Sequence, residues 1–192
     1  MRLRDENKKA ATFNATIKLV NEIGFASASV AKIAKEANVS PATIYIYYKN
    51  KEDLLVSTFV EIQARKNSAM NAFDGSSPFK ESLRKFWTDS FKFVSQNKHL
   101  LQYHDQFLNS PYTDLLDDTH SSDGLQPFIS ALESAANEKI IKKIDFYLLM
   151  AFVFPPIANL ANARSSRDFK MTPKKIETAF EMAWDAIRLD RN

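Results

Sequence analysis

The segment that decides the fold is residues 29–51, which read SVAKIAKEANVSPATIYIYYKNK. It opens on Ser29, a preferred N-cap residue, and its first helix closes at Asn38, a residue type that tolerates a left-handed backbone. Ser40 followed by Pro41 starts a second short helix, because proline at the first helical position loses no hydrogen bond. The two short helices and the tight turn between them have the spacing of a helix-turn-helix.

The second short helix predicts a surface that suits a DNA groove. On a helical wheel Pro41, Ile44 and Tyr48 face inward. The opposite side carries small, hydroxyl-bearing and aromatic groups where a merely solvated face usually has Lys or Glu, namely Ala42, Thr43, Ile46 and Tyr47. Alanine and isoleucine side chains can contact thymine methyl groups, and hydroxyl groups can bond base edges or phosphates.

The residues that follow this helix predict a phosphate contact. Lys49 and Lys51 flank Asn50, which starts a fourth helix with Asp53 three residues on, in a capping-box-like arrangement. A helix N-terminus exposes backbone N–H groups and the positive end of its dipole, so it binds phosphate well. The two lysines alone are typical of a solvated turn, but the preceding helix-turn-helix favours the phosphate contact.

Composition excludes several classes of function. The 192-residue chain has no cysteine, which excludes disulfides, zinc fingers and thiol catalysis. Its three widely spaced glycines exclude a P-loop and a Rossmann fingerprint, and no His-Glu-x-x-His occurs. We therefore expect no enzyme activity, no catalytic residues, no metal site and no cofactor.

Charge is unevenly distributed along the chain. Residues 1–51 carry nine Lys/Arg and four Asp/Glu, a net charge of +5. Residues 52–192 carry 17 Lys/Arg and 19 Asp/Glu, a net charge of −2. A basic end on a mildly acidic body indicates that the N-terminal end meets a polyanion.

Helical periodicity runs through nearly the whole chain, and strand-like alternation is hard to find. The first helix is predicted to start at an Asp5 N-cap and to end at Gly24. Later helices are predicted at 78–97, 98–108, 125–137, 142–163 and 173–189. The prediction is an all-α fold of about nine helices without a sheet. A helix-turn-helix DNA-binding domain of three helices occupies 1–55, and a helical ligand-binding and dimerisation domain occupies 56–192.

Residues 25–55 resemble the N-terminal DNA-binding domain of TetR-type repressors. The resemblance covers roughly residues 10–60, and its order and spacing run through three helix junctions. It implies a homodimer, a palindromic double-stranded DNA operator and a C-terminal domain for a small-molecule effector. The residues that it places on DNA are Ser29, Ala42, Thr43, Tyr45, Tyr47 and Lys51. The full predicted DNA-binding set adds Pro41, Ile46 and Lys49.

Aromatic side chains are dense beyond residue 60, and core packing explains any one of them. As a group they predict a cavity for an apolar or aromatic effector. Its expected wall is Trp87, Phe91, Tyr103, His104, Phe107 and Phe128. The helices at 142–163 and 173–189 are apolar on more faces than one monomer covers, so they predict a four-helix dimer interface with Phe180 and Trp184 in the contact.

We expect no membrane span and a cytoplasmic protein. The N-terminus has no apolar signal-peptide core, and the uncharged stretch 146–163 is interrupted by Pro155-Pro156. Two alternatives to a repressor stay open. One is a helical adaptor or ligand carrier that reuses the fold without specific DNA binding, and the other is a transcriptional activator.

Overall fold

A computed structural model of the chain describes residues 2–70, 77–116, 126–161 and 170–190, with side chains from residue 5 to residue 69 in the first range. In these ranges the chain forms ten α-helices, one 3₁₀ helix at Pro111–Leu115 and a single isolated bridge between Ile141 and Arg188. The predicted all-α class is therefore confirmed. The helices are α1 (Arg2–Ser27), α2 (Val30–Glu36), α3 (Pro41–Tyr47), α4 (Lys51–Met70), α5 (Phe79–Gln96), α6 (Lys98–Leu108), α7 (Gln126–Asn137), α8 (Phe146–Val153), α9 (Pro155–Ala161) and α10 (Pro173–Ile187).

The first helix differs from the prediction at its start but not near its end. Helix α1 already begins at Arg2, so Asp5 lies inside it and does not cap it. Gly24 interrupts the helix with φ 75° and ψ 166°, a backbone conformation that favours glycine. The predicted break at Gly24 is confirmed, and a short helical turn follows it up to Ser27.

One compact unit, the first unit, comprises Met1–Arg65 and Lys98–Ser121. In it α1 packs against α2 and α6, and α2 packs against α3. The ring of Phe25 meets the edges of Tyr103 and Phe107 at centroid distances of 5.4 and 6.0 Å. The amide of Asn21 donates to the His99 carbonyl at 2.8 Å, so α1 and α6 are joined by polar as well as aromatic contacts.

The second unit comprises Lys66–Asn97 and Ser122–Asn192. Its core forms around α5, which packs against α9 and α10. Phe86 of α5 stacks on Phe128 of α7 at a centroid distance of 4.8 Å, and Phe154 meets both rings edge-on. Lys80 and Arg84 of α5 form ion pairs with Glu181 of α10, which join these two helices at the surface.

The predicted helix at 142–163 is two helices, α8 and α9, because Pro155 cannot continue the hydrogen-bond ladder. Its predicted start is also wrong, since 142–145 are not helical and Asp145 caps α8, while 162–163 lie outside the described residues. The N–H of Ile157 turns to the Phe154 carbonyl, which leaves the Val153 carbonyl without its helical partner. The indole N–H of Trp87 donates to that carbonyl at 2.9 Å. The break therefore costs no unsatisfied carbonyl at Val153.

The two compact units divide the chain differently from the predicted domain boundary after residue 55. Helix α4 belongs to the first unit as far as Arg65. Helix α5 then belongs to the second unit, and α6 belongs to the first unit again. The reason lies in α1, whose Asn21 and Phe25 contact α6. The functional boundary at residue 55 stays a prediction.

Candidate nucleic-acid interface

Side-chain caps build the turn between α2 and α3. The Ser29 hydroxyl accepts from the backbone N–H of Lys32 at 3.3 Å, and the Ser40 hydroxyl accepts from that of Thr43 at 3.1 Å. Asn38 has φ 55°, so the chain reverses at the residue that the sequence predicts. The predicted helix-turn-helix junctions are confirmed, and the caps determine where α3 begins.

Helix α3 buries one side and presents the other to solvent. Ile44 is fully buried, as predicted. Ala42 is exposed, and Tyr45 and Ile46 keep 53% and 74% of their surface accessible. We call Ala42, Tyr45 and Ile46 the recognition face. It is a small apolar and aromatic surface that presents one phenolic hydroxyl.

Two of the predicted orientations on α3 are wrong. The helical wheel places Pro41 on the inward side, but Pro41 is exposed at the first position of α3. Tyr47 was expected to be exposed but is half-buried, because it lies against the N-terminal part of α1. Its hydroxyl donates to a carboxylate oxygen of Asp5 at 3.2 Å, and the Lys9 ammonium lies 5.1 Å from its ring centroid.

The start of α4 is capped from both directions. The side-chain oxygen of Asn50 accepts from the Asp53 N–H at 2.7 Å, and the Asp53 carboxylate accepts from the Lys49 N–H at 2.7 Å. The predicted capping arrangement of Asn50 and Asp53 is confirmed, except that the Asp53 carboxylate bonds the N–H of Lys49 and not that of Asn50 itself. Because Glu52 and Asp53 lie in the first turn, they already supply negative charge at this helix end. A phosphate here would depend on the lysines more than on free backbone N–H groups.

The two lysines beside this cap have different environments. Lys49 is exposed, whereas Lys51 is half-buried and its ammonium donates to the Phe25 carbonyl at 2.6 Å. The Ala26 carbonyl lies 3.4 Å from the same nitrogen. Lys51 therefore fixes the segment after the Gly24 break, a role that the sequence pattern did not reveal.

The residues predicted to line an effector cavity are all buried, but they do not belong to one unit. Trp87, Phe91 and Phe128 lie in the second unit, and Tyr103, His104 and Phe107 lie in the first. The Tyr103 hydroxyl donates to the Leu55 carbonyl at 2.9 Å, and burial raises its pKa well above the ordinary tyrosine value. The indole N–H of Trp87 donates to the Val153 carbonyl, so the polar tips of Tyr103 and Trp87 both bond backbone carbonyls.

His104 differs from Tyr103 and Trp87 in the hydrogen bonding of its polar atoms. Its ring stacks on Phe59 at a centroid distance of 5.2 Å, and its Nδ1 lies 3.3 Å from a carboxylate oxygen of Asp105. The Nε2 atom is buried and has no hydrogen-bond partner in the described part of the chain. A buried polar atom without a partner lowers stability, so it marks a position worth testing for ligand binding.

A pocket and a groove lie among the described residues of the second unit, and neither is lined by the predicted cavity residues. A pocket of about 330 Å³ lies between α7 and the start of α8, with Leu132, Ala136, Phe146 and Leu149 in its wall. A groove of about 630 Å³ lies on α8, α9 and α10. Its walls are mostly apolar and include Phe152, Leu160 and Met182.

An apolar face surrounds this groove on the second unit. Tyr147, Leu148, Phe152 and Met182 are 81%, 56%, 61% and 70% exposed. We call these four residues the apolar face. Phe180 and Trp184, the residues expected in a dimer contact, are instead buried in the core of the unit at 1% and 8% exposure. Helix α10 turns that stripe toward α5 and presents the Met182 side to solvent.

Two other kinds of site are absent from the described ranges. No group of three or more His, Cys, Asp and Glu side chains there is arranged to hold a metal ion. None of the helices described is both long enough and apolar enough to cross a membrane.

The fold and the recognition face define a helix-turn-helix DNA-binding protein. Residues 13–58 match the family model described as bacterial regulatory proteins, tetR family, and residues 78–188 match the tetracyclin repressor-like C-terminal domain. A crystal structure of a TetR family transcription regulator from Marinobacter aquaeolei VT8 is 34% identical, with a TM-score of 0.88 over 99% of this chain and 100% of that one. The chain belongs to the TetR family and is a DNA-binding transcriptional regulator, as the sequence resemblance implied.

Two curated relatives show how far the similarity extends. An HTH-type transcriptional regulator from Haemophilus influenzae is 27% identical over 178 residues, which cover 92% of this chain and 93% of the relative. A fatty acid metabolism regulator protein from Bacillus subtilis is 48% identical over 48 residues, or 25% of each chain. The second similarity is therefore high but limited to a quarter of the chain.

Proposed function

We propose that this chain is a homodimeric repressor that binds a palindromic operator through α3 of each subunit and is released by a small apolar or aromatic effector. The observation that carries the proposal is the recognition face on a capped helix-turn-helix. Ile46 is 74% exposed and lies beside the exposed Ala42 and Tyr45 on α3, the second helix of a helix-turn-helix, which such motifs place in the major groove. Its position is explained if it meets the apolar edges of DNA bases.

The contacts with DNA follow from the chemistry of the predicted residues. Ala42 and Ile46 meet thymine methyl groups, and the hydroxyls of Thr43 and Tyr45 bond base edges or phosphates. Ser29 and Pro41 are both exposed and lie at the starts of α2 and α3, where they contact the sugar-phosphate backbone of the DNA. Lys49 supplies a mobile charge. Lys51 has a third N–H beyond its two carbonyl neighbours, and we propose that it donates to a phosphate.

The proposed dimer contact is the apolar face on α8 and α10. It has four large, exposed side chains, and two of them, Phe152 and Met182, also line the mostly apolar groove. A monomer rarely exposes an extensive apolar patch. A two-fold axis would bring α8 and α10 of one subunit against the same helices of the other. Two recognition helices then reach two half-sites one helical turn apart.

The proposed effector-binding residues are the six predicted from the sequence. Because they are divided between the two units, each is proposed individually. His104 is the strongest of them, because its unpartnered Nε2 offers a hydrogen bond to a ligand. The name of the Bacillus subtilis relative concerns fatty acid metabolism, but that match covers only 48 residues. We therefore propose an apolar or aromatic effector and assign no narrower class.

The experiment that tests the proposal starts from random DNA. The wild-type chain is incubated with a randomised duplex library, and bound duplexes are enriched over several rounds. We expect a palindromic consensus whose half-sites are centred about 10 base pairs, or a multiple of that, apart. Failure to enrich any sequence would overturn the proposal and favour the helical adaptor. A reporter driven by a promoter that contains the consensus separates repression from activation.

A further inference from the structure

A contact between α1 and α3 holds one of the predicted DNA-binding residues from two sides. The Tyr47 hydroxyl donates to Asp5 at 3.2 Å, and the Lys9 ammonium lies 5.1 Å from the centre of the ring. Asp5 and Lys9 are four residues apart and therefore share one face of α1. The tyrosine is clamped at its hydroxyl by the acid and across its ring by the cation.

The carboxylate in this clamp is unexpected at a surface that meets DNA. Only four of the first 51 residues are acidic, and one of them contacts the recognition helix. A negative charge there repels phosphate and weakens binding to every DNA sequence. Burial, followed by the hydrogen bond to Asp5, raises the pKa of Tyr47, so its hydroxyl stays protonated and keeps donating. Asp5 therefore fixes the orientation of Tyr47 but weakens the electrostatic attraction of this surface for DNA.

We infer that Asp5 is a positioning residue for DNA recognition, which fixes Tyr47 in the orientation that distinguishes the operator from other sequences. The inference rests on the proposed function, because Tyr47 must lie at the DNA surface. Without a hydrogen-bond acceptor at position 5, the Tyr47 ring can rotate away from α1 and loses its defined orientation. Its contact with the operator then costs more conformational entropy.

Four variants separate the positioning role from the charge. Asp5→Ala removes both the acceptor and the charge, whereas Asp5→Asn removes the charge and keeps a carbonyl acceptor for the tyrosine. Tyr47→Phe removes the donor. Glu6→Gln is the matched control, because Glu6 is the exposed acid next to Asp5. This substitution removes an equal charge and leaves the contacts of Tyr47 with Asp5 and Lys9 unchanged.

The readout is the ratio of two dissociation constants, for a scrambled duplex and for the duplex that the wild-type chain enriches from a random library. Asp5→Asn and Glu6→Gln should both tighten binding to either duplex by roughly twofold to threefold and leave the ratio unchanged. Asp5→Ala and Tyr47→Phe should each lower the ratio by about threefold to tenfold. The double variant Asp5→Ala/Tyr47→Phe should have a ratio no lower than that of Tyr47→Phe alone.

Each outcome decides something different. An unchanged ratio in Asp5→Ala, or additive losses in the double variant, would overturn the inference while the proposed function stands. A wild-type chain that enriches no duplex would overturn both. Thermal unfolding of every variant shows whether the first unit is intact, and a normal ratio in Asp5→Asn shows that position 5 tolerates substitution.

Discussion

The two units both expose large apolar side chains, but in different surroundings. The recognition face is one side of a seven-residue helix, is bordered by hydroxyl groups and is followed by the exposed Lys49. The apolar face extends over α8 and α10 beside a groove of about 630 Å³. Isolated apolar groups among polar and cationic ones suit the edges of DNA bases, whereas a continuous apolar surface suits another protein surface. Exposed apolar and aromatic side chains therefore predict two different partners, according to the groups that surround them.

The largest expected effect comes from placing a charge on the apolar face. Met182→Asp and Phe152→Asp should each give monomers, because an aspartate cannot be buried there without a partner. Affinity for the enriched duplex should fall on the order of a hundredfold, since two linked half-site contacts become one. Sedimentation velocity and DNA titration measure the two effects.

A matched control lies in the first unit. Leu108 of α6 is 49% exposed, and Leu108→Asp should leave the oligomeric state unchanged and DNA affinity close to that of the wild type. If Met182→Asp and Phe152→Asp both sediment as dimers, the proposed interface is wrong and the apolar face has another partner.

The next effect separates the buried and exposed isoleucines of α3. Ile44→Ala should destabilise the first unit by about 2–5 kcal/mol, because it leaves a cavity where the side chain was fully buried. Ile46→Ala should leave stability unchanged and weaken binding to the enriched duplex by about 1 kcal/mol. Urea unfolding and DNA titration of both variants measure this. Equal stability losses at the two positions would show that the recognition face is not free.

A third prediction concerns the break between α8 and α9 that supports the apolar face. Trp87→Phe leaves the Val153 carbonyl without its donor and should destabilise the second unit by about 1–3 kcal/mol. Trp184→Phe, a ring truncation at another buried tryptophan, is the comparison and should cost less. Equal losses in urea unfolding would mean that the hydrogen bond contributes little.

The lysines beside the recognition face should differ in a smaller way. Lys49→Ala should reduce the slope of log affinity against log salt by about one unit and leave stability unchanged. Lys51→Ala should reduce the slope similarly and also lower the melting temperature, because its ammonium holds the Phe25 carbonyl. A Lys51→Ala variant with a lower melting temperature and an unchanged slope would restrict Lys51 to a structural role.

The smallest effect is a pH dependence in the second unit. Hydrogen bonds from Lys80, and then from Arg84, lower the pKa of Glu181. The pair is partly exposed, so it contributes about 1 kcal/mol or less. A lowered pKa in the folded state gives stability that is present above pH 4.5, the ordinary value, and is lost as the pH falls below it. Glu181→Gln should therefore be less stable than wild type at pH 7, with a difference that shrinks below pH 4.5. A constant difference in urea unfolding would exclude this linkage.

Local signals allowed most of the first unit to be predicted. Ser29, Asn38 and Ser40 act on backbone groups within three residues of themselves, so their effect needs no knowledge of the rest of the fold. The same holds for the break at Pro155, since a missing N–H is a property of the residue. Its consequence for Trp87, 66 residues away along the chain, could not be read locally.

Orientation was harder to predict than position in the chain. A helical wheel shows which residues share a face, but it does not show what that face meets. Tyr47 lies against α1 and bonds Asp5, which is 42 residues away along the chain and cannot appear on the helical wheel of α3. Helix α10 carries two apolar stripes, and packing against α5 decided that Phe180 is buried and Met182 is exposed.

The sequence by itself determined most of the helices, their junctions in residues 29–51, the family and the basic charge of the N-terminal end. These depend on hydrogen bonds and periodicities that span a few residues. Only the tertiary structure decided which apolar stripe of α10 faces outward, that the Lys51 ammonium holds the Phe25 carbonyl, and that Asp5 meets Tyr47. Each of these depends on a contact between residues distant in sequence, and such contacts are fixed by the packing of whole helices.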